Sequence, residues 1–233
     1  TWLGVYDHLF LEGIQQKLDE NNTGNYEFHF IYTTSNHGPY TIPIEKYGFE
    51  KEELLKKLPD YLYKYAEDIG TYAYCDCYLS QFVRYVQETY EDSLVIVTGD
   101  HTRRLPMPCQ DKGRVHRLRE DISTAFYLSH KDFDKSLLNG VRIGTHMNIL
   151  PTIMELIAPK EYEYVSLFPS LFEPQIFIVT PYHWLSNSHI GLFKNQSVET
   201  LDGTQVYDYN LTNVVALQQA YMEVTGAIVR HHV

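Results

Sequence analysis

Leu94 to Val97 is an unbroken apolar, mostly β-branched run with no polar face, which is how a parallel strand covered on both sides reads. Thr98-Gly99 ends the run and delivers Asp100-His101 at its carboxyl end. Phe28-His29-Phe30-Ile31-Tyr32 reads as a second strand of buried type, and it runs into the loop Thr33-Thr34-Ser35-Asn36-His37-Gly38-Pro39-Tyr40. Helical spacing dominates elsewhere in this half. Leu9, Phe10, Ile14 and Leu18 predict a helix over Asp7 to Glu20, closed by Asn21-Asn22-Thr23-Gly24-Asn25. Ile69, Tyr72, Leu79, Phe82, Val83 and Val86 mark a second one within a segment from Leu58 to Thr89.

Further along, Thr124 to Leu128 reads as a strand, and the segment from Val141 opens a helix with Pro151 in its first turn. From Gln175 the pattern changes. Ile176 to Val179, His189 to Phe193 and Gln205 to Tyr209 predict short strands between turn residues, and Leu211 to Val224 closes as a helix. Strand, loop, helix, strand is the pattern of βαβ units, so the expectation is an α/β fold. Its central sheet would be mostly parallel and flanked by helices, over residues 1–172. Residues 173–233 would form a small antiparallel subdomain.

Composition narrows the partners. Nineteen basic against thirty acidic residues leave a net charge of −11, which argues against nucleic acid and against broad attraction to anionic membranes. Cys75, Cys77 and Cys109 are odd in number and match no zinc spacing, so free thiols are favoured over a bridge from Cys109. Neither a signal peptide nor a run of about eighteen apolar residues is visible. The chain opens on Thr1-Trp2-Leu3-Gly4 without an initiator methionine and is expected to be a piece of something longer.

Chemistry concentrates at two loops. Ligands in open α/β sheets gather beyond the carboxyl ends of strands, and Asp100 with His101 offers a carboxylate oxygen and an imidazole nitrogen there. That pair suits a divalent metal. The competing reading makes Asp100 a turn cap and His101 a surface residue. Asn36-His37-Gly38 can present a donor at its strand end, and Arg104 and His116, in an arginine-rich stretch with Arg103, Arg114, Arg117 and Arg119, can bind an anion.

Ser35-Asn36-His37-Gly38-Pro39-Tyr40, a long helix, Val97-Thr98-Gly99-Asp100-His101 and Ile149-Leu150-Pro151-Thr152-Ile153 occur in one order. That order resembles the C-terminal portion of the lipoteichoic acid synthase, or phosphoglycerol transferase, branch of the sulfatase and alkaline phosphatase superfamily. The likeness covers roughly residues 1–172. It implies an alkaline-phosphatase-like sheet and an extracytoplasmic transferase or hydrolase, with a phosphoglycerol lipid, glycan or sulfate ester as substrate. Membrane attachment would come through a segment absent from this chain, and homodimers are compatible with it. It also implies a divalent metal, Mn2+ first with Mg2+, Zn2+ or Ca2+ as alternatives, held by a Thr nucleophile, an upstream Glu, and Asp100 and His101. His37 would touch the phosphoglycerol group, joined in substrate binding by Arg104 and His116.

His146 and Asn148 stand where that resemblance has an acidic residue. No Thr or Glu before His37 sits in a context like the nucleophile or the Glu ligand. The chain is therefore expected to be inactive alone. From a different class, a degenerate domain binding a glycan or anionic headgroup without catalysis is the alternative.

Overall fold

The computed structural model describes residues 4–101, 126–138 and 143–231. The chain divides into two compact units, Thr1–Val97 with Tyr127–Asp132, and Thr98–Phe126 with Phe133–Val233. Within the described residues no helix is long and apolar enough to cross a membrane.

The first unit is built on helix packing. Helix α1 covers Asp7–Glu20, as its apolar spacing predicts, and Asn21 ends it by turning its side-chain amide back onto the Lys17 carbonyl at 2.9 Å. Helix α2 covers Lys51–Lys57; within the segment expected to hold a helix, a 3-10 segment covers Asp60–Tyr65 and α3 covers Ala66–Thr89, which carries all the marking residues from Ile69 to Val86. Pro59 explains the break after α2, since it disfavours helical geometry in the residue before it and cannot continue the bonding ladder. α1 lies on α3, and the Tyr90 hydroxyl donates to Asp19 at 2.9 Å where the two helices end. Gly70 of α3 has a steric reason: a Cβ there would lie 2.3 Å from the Ile44 side chain. Ile42, Ile44 and Tyr74 form the buried centre of this packing.

Strand β1 (Val95–Thr98) pairs with β2 (Phe126–Ser129) in a two-stranded sheet. Two expectations are corrected here. Val95 to Val97 are half-buried rather than covered on both faces, and Thr98 is exposed. The segment from Phe28 to Tyr32 forms no strand, with Phe28 and Phe30 exposed at 73% and 83%. Its apolar pattern is that of a strand, but a strand also needs a ladder partner, which the pattern does not specify.

The second unit holds helix α4 (Ile149–Ile157), a five-stranded sheet and helix α5 (Thr212–His231). The strands are β3 (Phe177–Val179), β4 (His183–Ser186), β5 (His189–Leu192), β6 (Val198–Thr200) and β7 (Gln205–Val206), side by side in chain order. Every pairing is antiparallel, as short turns between neighbours require. The antiparallel tail is thus observed, whereas the mostly parallel central sheet is not seen among the described residues. The α/β mixture of helices and sheets stands.

One cross-strand row organises this sheet. Val179 lies opposite Trp184, Trp184 opposite Gly191, Gly191 opposite Val198, and Val198 opposite Val206. Trp184 is buried and covers Gly191 so closely that a Cβ there would sit 2.2 Å from the indole nitrogen. Val214 of α5 closes the cluster. Two of these strands, β4 and β6, escape sequence reading because they are four and three residues long, and β6 has Glu199 at its centre.

Candidate functional site

The loop carrying His37 is held from below by α1. Asp7 opens that helix, where a carboxylate is favoured by the helix dipole. Its Oδ1 accepts from the backbone N–H of Thr34 at 3.2 Å and of Ser35 at 3.0 Å, while Ser35 Oγ accepts from the Asp7 N–H at 2.8 Å. The clamp is therefore reciprocal: the helix start binds the loop, and the loop satisfies one of the helix's orphan donors. Both residues are buried, Asp7 at 3% and Ser35 at 0% exposure. Next to Asp7, burial pushes the Cys75 thiol well above its ordinary range, and the bond and charge of Asp7 push it the same way. Cys75 and Cys77 are both free thiols.

Beyond the clamp, the His37 N–H donates to the Thr34 carbonyl at 3.3 Å, and His37 itself is exposed. Its Nδ1 lies 2.8 Å from the Gly38 carbonyl, a bond that requires the proton on Nδ1. In the neutral ring Nε2 is then the basic nitrogen. Below the loop, His8 Nδ1 meets the Tyr74 hydroxyl at 2.6 Å, and the His8 ring centre lies 4.8 Å from Tyr47 and 5.2 Å from Tyr78. Desolvation drives the buried Tyr74 hydroxyl well above its ordinary pKa. Sequence reasoning missed Asp7 and His8. The one signal was an acidic residue opening an amphipathic helix, which by itself reads as a dipole partner.

The Asp100-His101 pair is built differently. Asp100 Oδ1 accepts from the His101 N–H at 2.9 Å, and Oδ2 lies 3.6 Å from His101 Nε2. Asp100 thus caps its own turn, and its carboxylate stands beside the His101 imidazole. The two side chains are 56% and 74% exposed. Just before them, the Gly99 carbonyl meets His146 Nε2 at 2.7 Å, which gives His146 a structural task.

Asn148 has one too. It is fully buried and accepts from the Thr145 N–H at 2.7 Å while donating to the Pro169 carbonyl at 2.8 Å. Thr152 continues the knot, donating to the Asn148 carbonyl at 2.6 Å and accepting from the Leu171 N–H at 2.8 Å. An amide suits this position because it donates and accepts together, whereas a carboxylate only accepts.

A carboxylate and an imidazole are the donor types a divalent metal of intermediate hardness takes. Among the described residues no group of three or more His, Cys, Asp or Glu side chains is arranged to hold one. Asp100 and His101 thus fit as part of a ligand set. Arg104 and His116, with Arg103, Arg114, Arg117, Arg119 and Cys109, lie outside the described residues. His37 belongs to the first unit and the Asp100-His101 pair to the second.

The family model described as Sulfatase matches residues 1–158. No curated protein and no solved structure matches the chain.

Proposed function

The chain belongs to the sulfatase family, and from that premise we propose that it is part of a metal-dependent, sulfatase-like hydrolase or transferase acting on a phosphate or sulfate ester. The observation that carries this reading is a carboxylate and an imidazole presented together at the end of β1, inside the matched stretch. Asp100 and His101 would supply two ligands of the metal, Mn2+ first among the alternatives. A bound divalent ion supplies charge stabilisation at the ester oxygens and lowers the pKa of a coordinated hydroxyl.

The chain's own residues contribute binding and orientation. His37 is aimed by a loop fixed at Asp7, so an ester oxygen approaching it meets a donor whose backbone is already ordered. As an imidazolium, His37 would stabilise negative charge on that oxygen. Arg104 and His116 would add cationic donors that match a tetrahedral anion. The lipoteichoic acid synthase likeness makes a phosphoglycerol lipid the first candidate substrate and the extracytoplasmic face of a membrane the site of action. The Thr and Glu expected by that likeness have no counterpart before His37, so on this reading turnover would be tested in a longer protein that supplies them.

The test is hydrolysis by that longer protein, with Mn2+ added, of an aryl sulfate and of a glycerophospholipid analogue. Turnover of the phospholipid alone supports the phosphoglycerol branch. Turnover of the sulfate alone moves the reading to a sulfatase. Binding of glycan or headgroup without turnover of either contradicts catalysis and leaves the non-catalytic alternative.

A further inference from the structure

Helix α5 buries one face and leaves apolar side chains exposed on either side of it, Met222 and Val229 on one and a longer row on the other. Val214, Gln218, Tyr221 and Thr225, at helical spacing, face the sheet unit: Val214 is fully buried, Gln218 donates to the Pro181 carbonyl at 2.8 Å, and Tyr221 lies 5.5 Å from Phe168. One step round the helix, Leu217, Ala220, Val224 and Ala227 alternate in steps of three and four residues, the spacing of a coiled-coil seam. Ile228 borders this row. Leu217, Val224 and Ile228 are 42%, 42% and 45% exposed. A solvated helix face would be dressed with charge, and this one is not. Between Thr212 and Arg230 the only charged residues are Glu223 and Arg230, in a chain whose charged fraction is 21%.

Those two charges identify the occupant. They stand seven residues apart and so lie on the same flank of the seam. In an antiparallel helix pair like flanks face each other, which sets Glu223 of one copy beside Arg230 of the other, twice over by symmetry. In a parallel pair the same flank would face the opposite one, and Glu223 would be set against Ile228. Ala220 and Ala227 in the seam let the two backbones approach closely. We propose that the exposed seam of α5 is a self-association surface, on which a second copy of this chain packs its own α5 antiparallel, joined by reciprocal Glu223–Arg230 pairs. The inference stands apart from the ester-transfer reading and does not use its residues.

Sedimentation velocity of the full chain across a wide concentration range tests it. The expected result is a concentration-dependent dimer. Glu223→Arg alone and Arg230→Glu alone should each weaken it several-fold, in keeping with exposed ion pairs of modest strength turned into repulsions. The double exchange, E223R with R230E, should restore the original constant. Val224→Glu should abolish the dimer, and an unchanged melting temperature of the dilute monomer confirms that the variant still folds. A monomer at every concentration overturns the proposal, as does a dimer indifferent to the single charge changes.

Discussion

The two loops that carry the candidate chemistry are held by opposite means. His37 stands on a loop fixed by bonds that span 28 residues, between a buried Asp7 and a buried Ser35. At Asp100 and His101 the bonds are local: the Asp100 carboxylate takes the His101 N–H, and one residue back His146 meets the Gly99 carbonyl. The first arrangement is preorganised by the fold. The second leaves both side chains more than half exposed, at 56% and 74%. A sequence motif gives both loops equal weight, while the structure separates a loop anchored to a buried carboxylate from an exposed carboxylate and imidazole.

This contrast can be broken by substitution, and the effects on stability should fall in order. Asp7→Ala leaves two buried backbone N–H groups without their acceptor and should cost about 2–4 kcal/mol. Urea unfolding measures the loss, and amide exchange should show Thr34 and Ser35 losing protection before the rest of the first unit. Equal loss of protection everywhere would mean that Asp7 is an ordinary core residue and that the loop has no special anchor.

The same region should be sensitive to alkali. The folded pKa values of the Cys75 thiol and the Tyr74 hydroxyl are both raised, so the unfolded chain ionises first. Their stabilisation is complete below the ordinary thiol value of about 8.5 and declines as pH rises above it. Urea midpoints should therefore fall between pH 8 and pH 10, and Cys75→Ala should flatten the early part of that fall. A midpoint that held steady across this range would contradict a protonated thiol at Asp7.

At the other loop the expected costs are small. His146→Ala removes one bond to an exposed turn and should cost on the order of 0.5–1 kcal/mol. Asp100→Ala should change stability by no more than about 0.5 kcal/mol, as exposed positions generally do. A large destabilisation by Asp100→Ala would show that the pair is part of the scaffold and would erase the contrast.

Much of the local structure was legible because it is encoded locally. α1 ends at the Asn21 cap that the polar cluster after it announces, and Val95 to Val97 form a strand where the β-branched run requires one. The segment from Phe28 to Tyr32 shows the limit of that reading. Its pattern specifies an extended chain, but a strand also needs a neighbour, and pattern alone cannot name one. At the site, Asp100-His101 was legible because its two residues are adjacent. The Asp7 clamp was not, because its partners are far apart in sequence and meet only when α1 and the loop fold together. Asn148 stands in sequence where the resemblance has an acid, and its bonds to Thr145, Pro169 and Thr152 depend on segments brought together by the fold.

The most direct measurement is Mn2+-dependent ester hydrolysis by a longer protein that includes this chain, wild type against Asp100→Ala, with both shown to melt at the same temperature. The proposed function requires a loss greater than the roughly 10–100-fold typical of removing a group that merely supports a ligand. Undiminished turnover in the Asp100→Ala protein would contradict it.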